Sequence, residues 1–258
     1  MPKFSANLGF LWPDRPLLER IDAAAKAGFK AIELHWPYAT PAGDVKARCE
    51  RHGLVLLGIN TPIGNGEKAD FGLGAQPGRK DEFRETFLQT VAYAREAGAS
   101  SVHVMAGVVA PESKASAHKV FVDNLRFAAE TAPDLTLLLE PINQRDKPGY
   151  FYSTIGEAAD IIAAVAAPNL KIMFDVYHVG VSEGDVTTRL QRHLADIGHV
   201  QIAAVPSRTE PDEGEIAYGF VLAALDRMGY SGWVGCEYKP RAGTDQGLAW
   251  TRTLGVSF

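Results

Sequence analysis

Four oxygen-bearing side chains stand at comparable places on four successive apolar runs. Glu140 closes LTLLLE, Asp175 closes KIMFD, Gln201 lies within HVQIAAV and Glu237 follows WVGC. Taken singly, each is a polar residue that a hydrogen bond at a strand end would satisfy. Taken together, three carboxylates and an amide converging on one point would repel unless a cation lay between them, because a buried unpaired carboxylate is costly. Oxygen-only donors favour a hard divalent ion, Mg²⁺ or Mn²⁺, over zinc. Glu140, Asp175, Gln201 and Glu237 are therefore expected to hold a divalent metal.

Further polar residues mark the same strand ends: Glu33 and His35 in AIELHW, then Asn60, His103, Asn143, His178, His199 and Lys239. His178, three residues after Asp175, either hydrogen-bonds a substrate oxygen beside the metal or is a loop histidine satisfied by backbone. Arg208, in SRTEPDEGE, either grips a substrate carboxylate or pairs with Glu210 or Glu213. Lys239 divides in the same way between a substrate contact and a solvated lysine. Asn60 and His103 complete the candidate substrate contacts. His52, His118 and His193 fall in helical stretches and read as surface residues.

These residues need a frame that points strand ends at one place. The chain alternates short runs rich in Val, Ile and Leu with longer amphipathic stretches rich in Ala, Glu and Arg. About eight such strand–helix units fit a (β/α)8 barrel, whose active sites are built at the C-terminal ends of the strands. A doubly wound sheet would also alternate, but unit count and length favour the barrel. Gly28, Gly53 and Gly98 sit where helices should stop. On the eighth strand, alternation puts Trp233, Gly235 and Glu237 on one face and Val234 with Cys236 on the other. If Glu237 points into the barrel, Cys236 points at the helices. One long connection, residues 62–79, follows a strand without structure of its own and is expected to be a lid over the site.

Composition sets the outer bounds. The chain has 258 residues, 46% hydrophobic, enough to bury the core of one domain over residues 1–258. Its formal net charge of -5 and the lack of any Lys/Arg-rich run argue against nucleic acid as partner. No apolar run approaches the roughly 20 residues of a membrane helix, and the first residues lack a leader pattern. The expectation is a cytoplasmic protein, with homo-oligomerisation left open. Two cysteines, Cys49 and Cys236, make no disulfide framework and read as small buried hydrophobes.

The motifs LLLEPINQRDKPGYF, FDVYH, GHVQIAAVPSRTEPDEGEI and GYSGWVGCEYKP occur in this order, supported by ELHWPY, QPGRKDEFR and HVMAG. Almost end to end, the chain resembles the hydroxypyruvate isomerase family, within the xylose-isomerase-like barrels that also hold 2-oxo-tetronate isomerases and, more distantly, ketose 3-epimerases. The resemblance implies a divalent metal on Glu140, Asp175, Gln201 and Glu237, with Glu140 and Glu237 as the acid–base pair. It implies His178 and Arg208 as substrate contacts. Gln201 looks like the hydroxypyruvate isomerase branch, since the sugar epimerases commonly place histidine there. The implied reaction moves a carbonyl between adjacent carbons of a small 2-oxo-3-hydroxy acid through an enediolate. A ketose 3-epimerase, and a non-catalytic sugar-acid-binding barrel, are the alternatives. IAAVPSR departs from the family pattern near Ala204 and Ser207, which touches the substrate pocket more than the metal ligands.

Overall fold

The computed structural model describes residues 2–66 and 70–258. Among these residues nine parallel strands form one sheet, in the order β3-β2-β1-β9-β8-β7-β6-β5-β4. They are β1 (Lys3–Asn7), β2 (Ala31–Glu33), β3 (Val55–Leu56), β4 (Gly58–Asn60), β5 (Ser101–His103), β6 (Thr136–Leu139), β7 (Leu170–Asp175), β8 (Ile197–Ile202) and β9 (Trp233–Cys236). β3 and β4 are two halves of one stave. Leu57, between them, donates its N–H to Ile32 O at 2.8 Å, and Asn60 N–H reaches His35 O at 2.8 Å. β3 thus lies on β2 while β4 pairs with β5. The sheet closes into the eight-stave (β/α) barrel that the alternation predicts. A doubly wound sheet would leave two free edges and is excluded.

The helices are α1 (Leu17–Lys26), α2 (Ala42–His52), α3 (Lys80–Ala97), α4 (Lys114–Thr131), α5 (Ile155–Val165), α6 (Val176–Ser182), α7 (Val186–His193), α8 (Tyr218–Arg227), α9 (Thr244–Gly247) and α10 (Trp250–Leu254). Each longer helix covers the strands with one apolar stripe. In α3 that stripe is Phe83, Phe87, Val91 and Ala94, a helical spacing. α2 and α3 stop at Gly53 and Gly98, both in the left-handed conformation. No helix of the described residues is long and apolar enough to cross a membrane. Cys49 and Cys236 are free and buried, and Cys236 packs in the apolar layer between strands and helices.

Two local expectations change. His178 is not in a loop: α6 begins directly after Asp175, so His178 lies in its first turn. The connection 62–79 is tied down where it is described. Gly72 bridges Ala106, Leu73 and Ala75 are buried, and buried Asp70 pairs with Arg79 at 2.6 Å. Apolar burial and an ion pair fix residues 70–79 against the loop after β5, so they are not structureless. The expected lid falls partly on residues 67–69, outside the described residues.

Candidate active site

Closure brings β6, β7, β8 and β9 side by side, with Asp175 opposite Gln201 and Gln201 opposite Gly235. Glu140 follows the last residue of β6, Asp175 ends β7, Gln201 is the fifth residue of β8 and Glu237 follows β9. All four are buried. Asp175 is also the N-cap of α6: its Oδ1 accepts the Tyr177 N–H at 2.8 Å, which leaves Oδ2 directed elsewhere. Among the side-chain oxygens of these four residues, three are buried with no hydrogen-bond partner: Glu140 Oε1, Asp175 Oδ2 and Gln201 Oε1. Orphaned acceptors of this kind are rare in a folded interior. Three from neighbouring staves fit a hard cation.

Among the carboxylates, imidazoles and thiols of the described residues, Glu140, Asp175 and His178 bring donor atoms within 4.8 Å of one another. His178 Nε2 lies 3.6 Å from Glu140 Oε1 and 3.6 Å from Asp175 Oδ2. Its other nitrogen argues that it is a donor and not a ligand. Asp146 N–H donates to Asn143 Oδ1 at 2.8 Å, which turns the Asn143 amide so that Nδ2 faces His178 Nδ1 at 2.6 Å. The Asn143 backbone N–H also points at Nδ1, at 3.3 Å. With two donors on Nδ1, the ring proton belongs on Nε2. Burial, then Arg208, keeps the ring neutral, well below the usual histidine range.

Glu237 stands apart from that group. Its Oε1 accepts from Arg208 Nη2 at 3.0 Å and lies 3.4 Å from His35 Nε2. Arg208 Nη2 is also 3.7 Å from Asp175 Oδ2, and the guanidinium lies between the rings of Phe10 and Tyr177, 4.9 Å from each. Glu210 and Glu213, the alternative partners for Arg208, instead take Arg241, at 2.9 and 2.7 Å. Burial, then the charges of Glu237 and Asp175, pushes Glu140 well above the carboxylate range. Burial raises Asp175 to about 7, although Arg208 opposes it. His103 Nδ1 lies 3.6 Å from Glu140 Oε2, and burial presses this imidazole down to about 3.

Glu140 and Glu237 line a mouth cavity of about 490 Å³, walled by Phe10, Trp36, Phe71 and Met105. Arg208, His178, His103 and Asn60 line it, with exposed Lys239 at its edge. Below it, an inner cavity of about 150 Å³ descends through the barrel past Gln201, His199 and Glu33 to Thr136 and Trp233.

Residues 21–254 match the family model described as xylose isomerase-like TIM barrel. The chain belongs to this family. It is 43% identical over 255 residues to a 2-oxo-tetronate isomerase of Cupriavidus necator, covering 98% of each chain. It is 44% identical over 262 residues to a putative hydroxypyruvate isomerase of Homo sapiens, covering 97% of this chain and 94% of the relative. Among solved structures it is similar to an AP endonuclease, family 2, from Brucella melitensis, with a TM-score of 0.95, 38% identity, and 98% and 99% of the two chains covered.

In this xylose isomerase-like barrel the nine residues singled out from sequence all line or adjoin one connected site. Three further contributors were visible only as strand-end polar residues without a role. Glu33 receives the Gln201 amide at 2.7 Å and His199 at 3.1 Å. Burial disfavours its charge, but the facing His199 and the hydrogen bonds of His199, Ser5 and Gln201 outweigh that and hold the carboxyl below its usual range. His35 reaches Glu237 because Gly9 leaves room for its ring, which a Cβ at that position would overlap. The signal for both was the alternation in AIELHW, which puts Glu33 and His35 on one face. Asn143, read as part of a loop, instead orients His178.

Proposed function

We propose that this barrel is a divalent-metal-dependent isomerase. It interconverts a small 2-oxo-3-hydroxy acid and the isomer with its carbonyl at carbon 3, an aldehyde for the hydroxypyruvate/tartronate semialdehyde type and a ketone for the 2-oxo-tetronate type. The observation that carries this reading is the convergence of three orphaned buried oxygens, on Glu140, Asp175 and Gln201, beside a second glutamate, Glu237, which lines the same two cavities as Glu140. Glu140, Asp175, Gln201 and Glu237 would hold Mg²⁺ or Mn²⁺. That ion would supply Lewis-acid stabilisation of the negative charge that an enediolate carries. The names of the two relatives at 43% and 44% identity support the substrate class.

The chain's own groups divide the remaining work. One of Glu140 and Glu237 removes the proton from the hydroxyl-bearing carbon, and the other delivers a proton to the neighbouring carbon. Each ends the half-reaction in the protonation state opposite to its start, so the pair runs in both directions. His178, with its proton on Nε2, donates to a substrate oxygen between Glu140 and Asp175. Arg208, stacked on two rings, presents its guanidinium to the substrate carboxylate, with Lys239 at the rim. Asn60 and His103 complete the polar wall.

The test is an NMR assay in D₂O of the purified protein with Mn²⁺ or Mg²⁺, against 2-oxo-3-hydroxy acids and ketoses. Net isomerisation with deuterium at the receiving carbon is expected for the acids. Turnover of ketoses alone would replace this reading with an epimerase. Glu237→Gln should lower kcat by about 10²- to 10⁴-fold while leaving the melting temperature near wild type. Unimpaired turnover in that variant would remove Glu237 from the chemistry.

A further inference from the structure

The amide of Gln201 has two ends of similar size and opposite chemistry. Only Oε1 can face a cation, and half a turn about the last bond would aim N–H donors there instead. We propose that Glu33 is the positioning residue that sets this orientation, and so governs metal affinity without touching the metal. The proposal rests on the reading of Gln201 as a metal ligand.

Glu33 Oε2 accepts from Gln201 Nε2 at 2.7 Å. A carboxylate offers only acceptors, so it admits one of the two amide orientations and turns Oε1 the other way. That oxygen is the one left buried with no protein donor. The carboxylate is itself held from several sides. Ser5 Oγ donates to Oε1 at 2.8 Å, Asn7 Nδ2 to Oε2 at 3.3 Å, and His199 Nε2 lies 3.1 and 3.2 Å from the two oxygens. Asn7 cannot turn round, because its Oδ1 already accepts the Gly9 N–H at 2.9 Å. Every neighbour of Glu33 in this ring faces it as a donor, and a neutral amide of the same shape cannot answer them all.

The barrel also keeps a passage clear for this contact. Glu33 starts on β2 and meets β8, two staves beyond its neighbour β1, by crossing the inner face of β9. Gly235, opposite Gln201, lies under the crossing. A Cβ there would overlap Glu33 Oε1 and come within 2.9 Å of His199 Nε2.

The decisive experiment exchanges the two groups. Mn²⁺ affinity is measured by electron paramagnetic resonance and by calorimetry, with melting temperatures recorded alongside. Glu33→Gln brings an NH₂ group into a ring of donors, which is relieved when Gln201 turns its oxygen toward it and away from the metal. The expected result is Mn²⁺ affinity about ten- to a hundredfold weaker. The double exchange Glu33→Gln with Gln201→Glu restores wild-type affinity or better, because a carboxylate at 201 presents oxygen in either orientation and accepts from the amide at 33. A folded E33Q protein with wild-type affinity overturns the proposal. So does a double exchange that stays as weak as E33Q, and where E33Q alone fails to fold, a folded double exchange with weak affinity is equally decisive. Gln201→Leu separates the two readings. Wild-type affinity in Q201L overturns Gln201 as a ligand and this proposal with it, whereas weak Q201L beside normal E33Q overturns the positioning role alone.

Discussion

Glu140 and Asp175 face one neutral histidine between them, and neither has a full cation of its own. Arg208 approaches Asp175 only to 3.7 Å and spends its closest contact, 3.0 Å, on Glu237. Burial therefore dominates both acids and raises them, Asp175 to about 7. Between the ordinary aspartate range, about pH 4, and about pH 7, the folded chain without metal keeps a proton on Asp175 that the unfolded chain has lost. The folded form binds more protons there, so this group's contribution to stability is present below about pH 4 and is lost as pH rises through 7. Glu140 acts in the same direction. A metal ion needs both carboxyls ionised, so Mn²⁺ binding should release protons and tighten as pH rises through this window. Scanning calorimetry of chelator-treated and Mn²⁺-loaded protein checks this: the gap between their melting temperatures should widen from pH 5 to pH 8. A gap that narrows would mean that these acids do not bind the metal. At this scale the sequence disclosed which residue types end the strands. It could not disclose their hydrogen-bond orientation. The tautomer of His178 depends on Asn143, which lies 35 residues away in the chain, and through it on Asp146.

Asp175 serves two elements at once, as the end of β7 and the cap of α6. The two duties use different oxygens: Oδ1 takes the Tyr177 N–H, and Oδ2 faces Glu140 and His178. Substitutions can therefore separate them. Asparagine caps a helix about as well as aspartate, so Asp175→Asn should keep most of the melting temperature while losing Mn²⁺ binding. Asp175→Ala should lose both, with about 1 kcal/mol of stability going with the cap. Denaturant unfolding of the two metal-stripped variants measures the difference. Equal stability would show that the cap contributes nothing. Element types and order were legible from the alternation of apolar runs, because barrel strands are covered on both sides. Short elements were not. In FDVYH apolar residues resume directly after Asp175, with no Gly or Pro between β7 and α6, so a seven-residue helix read as a strand followed by loop. The stave at LVLLGIN is split at Leu57, which no local feature of that run announces.

Closure of the barrel decides which groups meet solvent. Both thiols lie outside the inner cavities, Cys49 in α2 and Cys236 on the helix-facing side of β9. Burial raises Cys49 to about 11 and Cys236 well above the ordinary thiol range. At pH 8 both should resist a disulfide reagent such as DTNB in the native protein and react fully in denaturant. A stoichiometric native reaction would show that this layer opens. At the whole-molecule scale the sequence showed a barrel and the end of it where the candidate site lies. It did not show the inner cavity or the polar ring around Glu33, since these arise only when Glu33 of β2 and His199 of β8, 166 positions apart, face one another across the closed sheet. That ring binds the history of this sequence as well as its structure. Glu33 passes through space that a side chain at 235 would fill, and it matches only a hydrogen-bond donor at 201. Positions 33, 201 and 235 are therefore not free to drift separately. A descendant that gains a side chain at 235 must first shorten or lose the acid at 33, and one that replaces the amide at 201 by an acid removes the reason to keep a carboxylate opposite it. Divergence at this site should proceed as joint replacements of the three positions, and single steps should be rare.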